Sequence, residues 1–97
     1  MIDKAAFTKW LQDNKDTYFT TFDSKECPIA CYLKATAGGR VDVDPEYAVL
    51  DQTVKELPSW VKAFIDKVDR TRIDSDGYKI SQLVYGKELL GFLDEPN

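Results

Sequence analysis

The strongest pattern in the sequence is a stripe of apolar side chains in the second half of the chain. The stripe follows the spacing of one helix face and consists of Leu57, Val61, Phe64, Ile65 and Val68. Pro58 suits the first turn of a helix, where its missing N–H costs nothing, so the pattern predicts a helix from Ser59 to about Asp69. With 97 residues the chain is long enough for one core and one domain, 1–97, and too short for two.

Two more helices are predicted in the first half of the chain. Asp3 can cap a helix that runs from about Lys4 to Asp13, because its carboxylate can accept a hydrogen bond from a free N–H of the first turn. Pro28 suits the first position of a second helix, and the Gly38-Gly39 pair ends it.

A last helix is predicted near the end of the chain, with Ser81 as its cap. Its apolar side would carry Leu83, Tyr85, Leu89, Leu90, Phe92 and Leu93. Gly86 and Gly91 each weaken a helix by about 1 kcal/mol relative to Ala, so we expect a close helix contact at these positions.

One strand has a clear alternating pattern. Residues 40–44 alternate charged and apolar side chains, which predicts that Val41 and Val43 face the core while Asp42 and Asp44 face outward.

The remaining segments carry weaker signals. The Asp76-Gly77 pair predicts the turn of a hairpin over residues 71–80, and residues 18–22 favour an extended conformation. Residues 46–56 fit either a short helix or an irregular loop.

Together these elements predict an α+β fold, with three or four helices packed on a small antiparallel β-sheet in a single domain. The sheet is expected to combine residues 41–44 with the hairpin over residues 71–80. We expect the centre of the core to contain Trp10, Leu33, Phe64, Ile65, Val68 and Leu89.

The chain has no histidine, which excludes the Ser-His, Cys-His and His-metal sites of most small hydrolases. Walker, Rossmann and nucleophile-elbow motifs are also absent from the sequence. We therefore expect a protein that is not an enzyme, with no catalytic residue and no cofactor.

Cys27 and Cys31 are expected to be reduced thiols that pack as small hydrophobic side chains. A zinc site would need two more ligands, which the sequence offers only as carboxylates, so no metal site is expected.

Three short motifs have structural explanations. Residues 23–26 and 53–56 match the spacing of a capping box and are interpreted as helix starts. Residues 74–77 resemble the front of a calcium loop, but the loop register would place Arg72 and Leu83 where carboxylates are required, so a plain turn is predicted.

The distribution of charge is more informative than any motif. The chain has 13 basic and 17 acidic residues, a formal net charge of -4. Residues 42–76 contain five basic and nine acidic side chains, which is 5 minus 9, or -4, so they carry the whole imbalance. This balance disfavours direct binding to nucleic acid or to an anionic membrane, and it favours a basic protein partner.

The candidate partner-binding residues come from this acidic region. Asp42 and Asp44 are expected to project from one strand face about 6.6 Å apart. The full candidate set is Asp42, Asp44, Glu46, Tyr47, Asp66, Asp69, Asp74 and Asp76, with Tyr78 as a second candidate aromatic anchor. An acidic face kept for solubility fits the same residues.

Four segments resemble small single-domain proteins of bacteriophages and prophages. They are Phe7-x-x-Trp10-Leu11, Cys27-Pro-Ile-Ala-x-Tyr32-Leu33, Leu57-Pro-Ser-Trp60 and Phe64-Ile65-x-x-Val68-Asp69. In its length, its acidity and its lack of catalytic residues, the chain also resembles the anti-CRISPR inhibitors of the type I-F group. That resemblance implies a protein that imitates DNA and blocks a guide-RNA complex, and no contact residue of that group is carried over.

The leading hypothesis is stoichiometric inhibition of a nucleic-acid-binding complex, such as a CRISPR surveillance complex, through the acidic surface. The inhibitor would be a monomer in the host-cell cytoplasm that contacts neither a membrane nor nucleic acid directly. The opening residues are too polar for a signal peptide, and no apolar stretch reaches the roughly 20 residues of a membrane span.

Two alternatives stay open. An adaptor or subunit would use an apolar interface, with Trp60 or Phe92 exposed. A DNA-binding regulator would use an edge of Lys62, Lys67, Arg70 and Arg72.

Overall fold

The computed structural model describes residues 2–80 and 82–93 and confirms the α+β class. Its helices are α1 (Lys4–Asp13), α2 (Pro28–Ala37), α3 (Ser59–Arg70) and α4 (Gly86–Leu93). Its strands are β1 (Tyr18–Thr20), β2 (Val41–Val43), β3 (Tyr47–Leu50), β4 (Thr53–Glu56) and β5 (Leu83–Tyr85). The strands form two antiparallel sheets, β1-β5 and β2-β3-β4.

The first three helices lie where the sequence predicts them. The Asp3 carboxylate accepts a hydrogen bond from the Ala6 N–H at 2.9 Å and so caps α1. Pro28 opens α2, and Gly38, with a φ of 73°, ends it. Helix α3 runs one residue beyond the predicted end at Asp69.

Residues 46–56 form the hairpin β3–β4, so the prediction of a short helix or an irregular loop was wrong. The apolar spacing of this segment is compatible with a helix, but strand pairing decides its conformation. β3 bonds to β2 on one side and to β4 on the other, and it buries Ala48 completely. Asp51 takes a φ of 56° in the turn, a conformation that Asp tolerates better than most residues. The predicted helix start at residues 53–56 is therefore strand β4.

The predicted pairing of residues 41–44 with the hairpin over residues 71–80 was also wrong. β2 pairs with β3 instead, and the Val43 N–H donates a hydrogen bond to the Ser24 carbonyl at 2.8 Å. Residues 71–80 form a turn around Gly77, which has a φ of 87°, with one isolated bridge between Ile73 and Lys79.

The last helix begins at Gly86, and the residues before it form a strand. Leu83 and Tyr85, which were assigned to the apolar side of a helix, pair in β5 with Thr20 and Tyr18 of β1. The predicted extended segment 18–22 is thus confirmed over Tyr18–Thr20. Ser81, the predicted cap, lies outside the described residues.

The glycines of α4 differ from each other. A Cβ on Gly86 would clash with the backbone carbonyl of Asn14, so the predicted close contact is present there. A Cβ on Gly91 would meet nothing within 4 Å, so the same expectation was wrong at Gly91.

One hydrophobic core joins the helices to both sheets. Leu33, Phe64, Val68 and Leu89 are buried in it as predicted. Trp10 and Ile65 are only half-buried and pack against its edge, so their central placement was wrong.

Phe7 is at the centre of an aromatic cluster in this core, with its ring centroid 5.2 to 6.0 Å from those of Trp10, Tyr32, Trp60 and Phe64.

Over the described ranges 2–80 and 82–93, every helix is too short or too polar to cross a bilayer.

Candidate functional site

A pocket of about 390 Å³ opens on the side of the molecule where α2, β2 and α3 meet. Its apolar lining comes from Phe22, Ile29, Val43, Phe64, Ile65 and Val68. Three carboxylates, Asp23, Asp44 and Asp69, line the same pocket. Among the described lining residues, Lys79 is the one basic side chain.

Helix periodicity explains how α3 contributes to the pocket. Phe64 and Val68 lie on its buried face, whereas Ile65 and Asp69 lie one turn apart at the edge of that face and are half-buried. The apolar stripe that directs α3 to the core therefore also places one carboxylate at the mouth of an apolar cavity.

The Asp69 carboxyl has an unusual environment. Its pKa is raised from 3.8 to about 6, chiefly by burial and to a smaller extent by the negative charge of Asp66, while Lys79 partly opposes the shift. Across residues 2–80 and 82–93, no donor lies within hydrogen-bond distance of this carboxylate. Asp69 therefore carries its charge at neutral pH without a direct partner from the part of the chain that is described.

The backbone holds the other two lining carboxylates in place. Asp23 Oδ1 accepts hydrogen bonds from the N–H groups of Lys25 and Glu26 at 2.8 and 3.1 Å. Asp44 Oδ1 accepts from Glu46 and Tyr47 at 2.7 and 2.6 Å. Because short Asx turns fix both side chains, their carboxylates are preorganised beside the pocket.

Two more carboxylates lie next to these three. Asp42 accepts a hydrogen bond from the hydroxyl of Ser24, a lining residue, at 3.3 Å. Asp66 lies close enough to Asp69 to raise its pKa, and it forms an exposed ion pair with Arg70 at 3.0 Å. We call Asp23, Asp42, Asp44, Asp66 and Asp69 the acidic rim.

The structure thus associates four of the eight predicted site residues with one pocket. Glu46 and Tyr47 follow Asp44 in the same turn but do not line the cavity. Asp74 and Asp76 lie in the turn after α3, where Asp74 Oδ1 accepts from the N–H groups of Asp76 and Tyr78 at 2.9 Å each.

Asp23, Phe22 and Lys79 are among the pocket residues that the sequence analysis did not assign to a site. The capping motif at residues 23–26 marks Asp23, although the observed motif is a turn that precedes α2. Phe22 has a φ of 60°, and the Lys79 ammonium lies 5.0 Å from the centre of its ring. Nothing local in the sequence indicates this contact, because it joins residues far apart in the chain.

Both cysteines are free and half-buried, which is less burial than their predicted packing role implies. Cys27 is the N-cap of α2, and its Sγ accepts from the Ala30 N–H at 3.4 Å. Burial raises the pKa of the Cys27 thiol to about 11 and also raises that of Cys31. Both groups are therefore neutral thiols near pH 7, which makes them poor nucleophiles.

Among the described residues, no three Cys, Asp or Glu side chains are arranged to hold a metal ion.

The anchors named for the two alternatives occupy other environments. The adaptor alternative expects Trp60 or Phe92 to be exposed, but both side chains pack against the core and are only partly exposed. Lys62, Arg70 and Arg72 pair with Glu56, Asp66 and Glu88 at 2.7, 3.0 and 2.8 Å.

Comparison with known proteins assigns no family. No protein-family model matches the chain, and neither the curated proteins nor the solved structures contain a match to it.

Proposed function

We propose that this protein is a stoichiometric inhibitor that binds a basic protein surface through the acidic rim and the pocket inside it. The target class is a nucleic-acid-binding complex, such as a CRISPR surveillance complex, whose Lys and Arg side chains normally hold phosphates. The occupied surface would then exclude the target DNA. The observation that carries this proposal is that three carboxylates, from three segments of the chain, line one apolar cavity and that two more interact with residues of its lining.

Charge and apolar contact have different roles in such a complex. The rim carboxylates attract a cationic surface and accelerate its association. The apolar wall of the pocket offers the desolvated contact in which interfaces concentrate their binding free energy. A solubilising acidic face does not require an apolar cavity at its centre, so the combination favours binding.

The DNA-mimic form of this proposal is supported by strand geometry. Asp42 lies on β2 and Asp44 directly follows it. The Cα atoms of two such residues in an extended chain are about 6.6 Å apart, which is of the same order as the spacing of charges along a nucleic-acid strand. The backbone hydrogen bonds of Asp44 and the Ser24 contact of Asp42 limit their movement. Carboxylates held in this way can occupy cationic groups that otherwise bind phosphates.

A DNA-displacement experiment tests the proposal. A purified type I-F surveillance complex, loaded with fluorescent target duplex DNA, is titrated with the protein. The wild type is expected to displace the DNA at near-stoichiometric concentrations. The double variant Asp42→Asn, Asp44→Asn should require at least about tenfold more protein, because two preorganised charges are lost while their hydrogen-bond acceptors remain.

The matched control is the double variant Asp13→Asn, Asp16→Asn. It changes the net charge by the same amount at two exposed positions outside the pocket lining. Equal weakening by both double variants would contradict a specific role for the rim, and failure of the wild type to displace DNA would contradict this target class.

A second candidate function, an adaptor with an apolar interface, is favoured by the β1–β5 sheet. Tyr18 and Tyr85 pair across this sheet with ring centroids 6.1 Å apart and are 61% and 43% exposed. If this face binds the partner, Tyr18→Ala should weaken the complex more than the Asp42→Asn, Asp44→Asn variant does.

A further inference from the structure

The pocket has the size and the lining of a site for one long side chain. Its volume of about 390 Å³ lies within the range of roughly 300 to 1,000 Å³ that is typical of ligand pockets. Phe22, Ile65 and Val68 supply apolar surface for a methylene chain. The charged groups at its edge are mainly acidic, which selects an occupant with a positive end.

Asp69 is the group that such a positive end would reach. Its carboxylate is half-buried at the apolar wall, and within the described ranges it accepts no hydrogen bond. A desolvated carboxylate without a donor is costly, and a cation that enters the pocket would relieve that cost.

Lys79 does not fill this role. Its ammonium lies over the Phe22 ring at 5.0 Å, and among the described ion pairs none joins it to Asp69. Its positive charge lowers the pKa of Asp69, but this is the smallest of the three influences on that pKa. Among residues 2–80 and 82–93, the other charged groups that act on Asp69 or line its pocket are Asp66 on the same helix, and Asp23 and Asp44.

We propose that the pocket binds the side chain of an arginine from the partner protein, with its guanidinium on the Asp69 carboxylate and its methylene groups against Ile65 and Phe22. That the arginine comes from the partner protein rests on the proposed function above. Arginine fits better than lysine because the guanidinium is less strongly hydrated and meets a carboxylate with two parallel hydrogen bonds. A purely apolar side chain would bury Asp69 further and leave it without a counter-charge.

The affinity of this site depends on pH in a defined direction. Asp69 has a pKa of about 6, so it is largely protonated at pH 5 and largely ionised at pH 7. The guanidinium stays charged throughout, so binding should strengthen as the pH rises from about 5 to about 7.

The test uses the free protein and two small probes of nearly equal shape. Propylguanidinium carries the stem and charge of an arginine side chain, and propylurea is its neutral counterpart. Each is titrated into isotopically labelled protein, and NMR shifts of the backbone amides are followed. Propylguanidinium is expected to shift the amides of Phe22, Ile65 and Asp69 and to bind about tenfold more tightly than propylurea at pH 7.

Two variants and one assay complete the test. Asp69→Asn should remove most of the difference between the probes and its pH dependence, whereas Asp16→Asn, at an exposed position outside the pocket, should preserve both. Equal binding of the two probes to the wild type, or shifts confined to other parts of the molecule, would overturn the assignment of the pocket.

The DNA-displacement assay then identifies the source of the arginine. Asp69→Asn should require about tenfold more protein to displace DNA than the wild type. If propylguanidinium binds and the wild type displaces DNA, but Asp69→Asn displaces it equally well, the partner does not supply the occupant. If propylguanidinium binds and the wild type displaces no DNA, the inhibitor function fails while the cation-binding pocket stands.

Discussion

Asp69 and Lys79 line the same apolar pocket, yet they do not form an ion pair. Lys79 lies instead over the ring of Phe22, and the neighbouring charge with the largest influence on the pKa of Asp69 is the carboxylate of Asp66. The pocket therefore contains a half-buried carboxylate whose ionisation opposes folding. This arrangement has consequences for stability as well as for binding.

The stability of the protein should depend on pH through Asp69. Its pKa is raised from 3.8 to about 6 in the folded state, so between these values the folded state binds its proton more tightly than the unfolded chain does. The contribution of Asp69 to the free energy of unfolding therefore falls as the pH rises through this window. After allowance for the solvent that screens a half-exposed group, the loss is about 1 kcal/mol.

Urea unfolding of the wild type and of Asp69→Asn at several pH values measures this contribution. The variant should be about 1 kcal/mol more stable than the wild type near pH 7, and the difference should vanish near pH 4. A difference that is the same at every pH would show that Asp69 does not titrate as described.

The two glycines of α4 should respond to alanine in opposite directions. In Gly86→Ala the new Cβ meets the backbone of Asn14 and Lys15, which cannot move aside as a flexible side chain can. We expect a loss of about 2 kcal/mol or more in the free energy of unfolding. Gly91→Ala enters open space within the helix and should stabilise the protein by about 0.5 to 1 kcal/mol. Thermal unfolding of both variants measures the contrast, and equal effects would contradict the close approach of α4 to the end of α1.

The two thiols should react slowly and in a fixed order. The pKa of Cys27 rises from 9.0 to about 11, which lowers its thiolate population about a hundredfold at a given pH. In a reaction with an aromatic disulfide reagent near pH 8, Cys31→Ser should therefore leave a slower thiol than Cys27→Ser does. Both should become fast in denaturant, and a native Cys27 that reacts as fast as an unfolded thiol would be inconsistent with its burial.

Two substitutions at Asp44 distinguish the role of its charge from the role of its hydrogen bonds. Asp44→Ala removes the acceptor of two backbone hydrogen bonds and should destabilise the protein by about 1 kcal/mol. Asp44→Asn keeps an acceptor oxygen and should be nearly as stable as the wild type. Chemical unfolding distinguishes them, and equal losses would indicate that the charge itself stabilises the turn.

Local sequence signals predicted much of the fold correctly. The boundaries of α1 and α2 follow from Asp3, Pro28 and the glycine pair after Ala37, because caps and helix ends are local chemistry. The hairpin over residues 46–56 was missed because its stability comes from pairing with β2 on one side, which no local pattern encodes.

The same limit applies to the candidate site. The acidic residues could be named from the charge balance, but their grouping depends on contacts such as Ser24 with Asp42, 18 residues apart. A turn at residues 74–77 was predicted from the sequence, yet Asp74 was also named as a partner-binding residue, and its carboxylate instead accepts hydrogen bonds within that turn. A carboxylate that bonds to its own backbone looks the same in sequence as one that faces a partner.

The salt dependence of association tests the central claim most directly. The association rate constant of the protein with the surveillance complex is measured by stopped flow between about 50 and 300 mM salt. For the wild type, a rate set by the acidic rim should fall at least about tenfold over this range, and the Asp42→Asn, Asp44→Asn variant should show a clearly smaller fall. A wild-type rate that does not change with salt, or an equal fall in both proteins, would contradict the claim that the rim binds a basic surface.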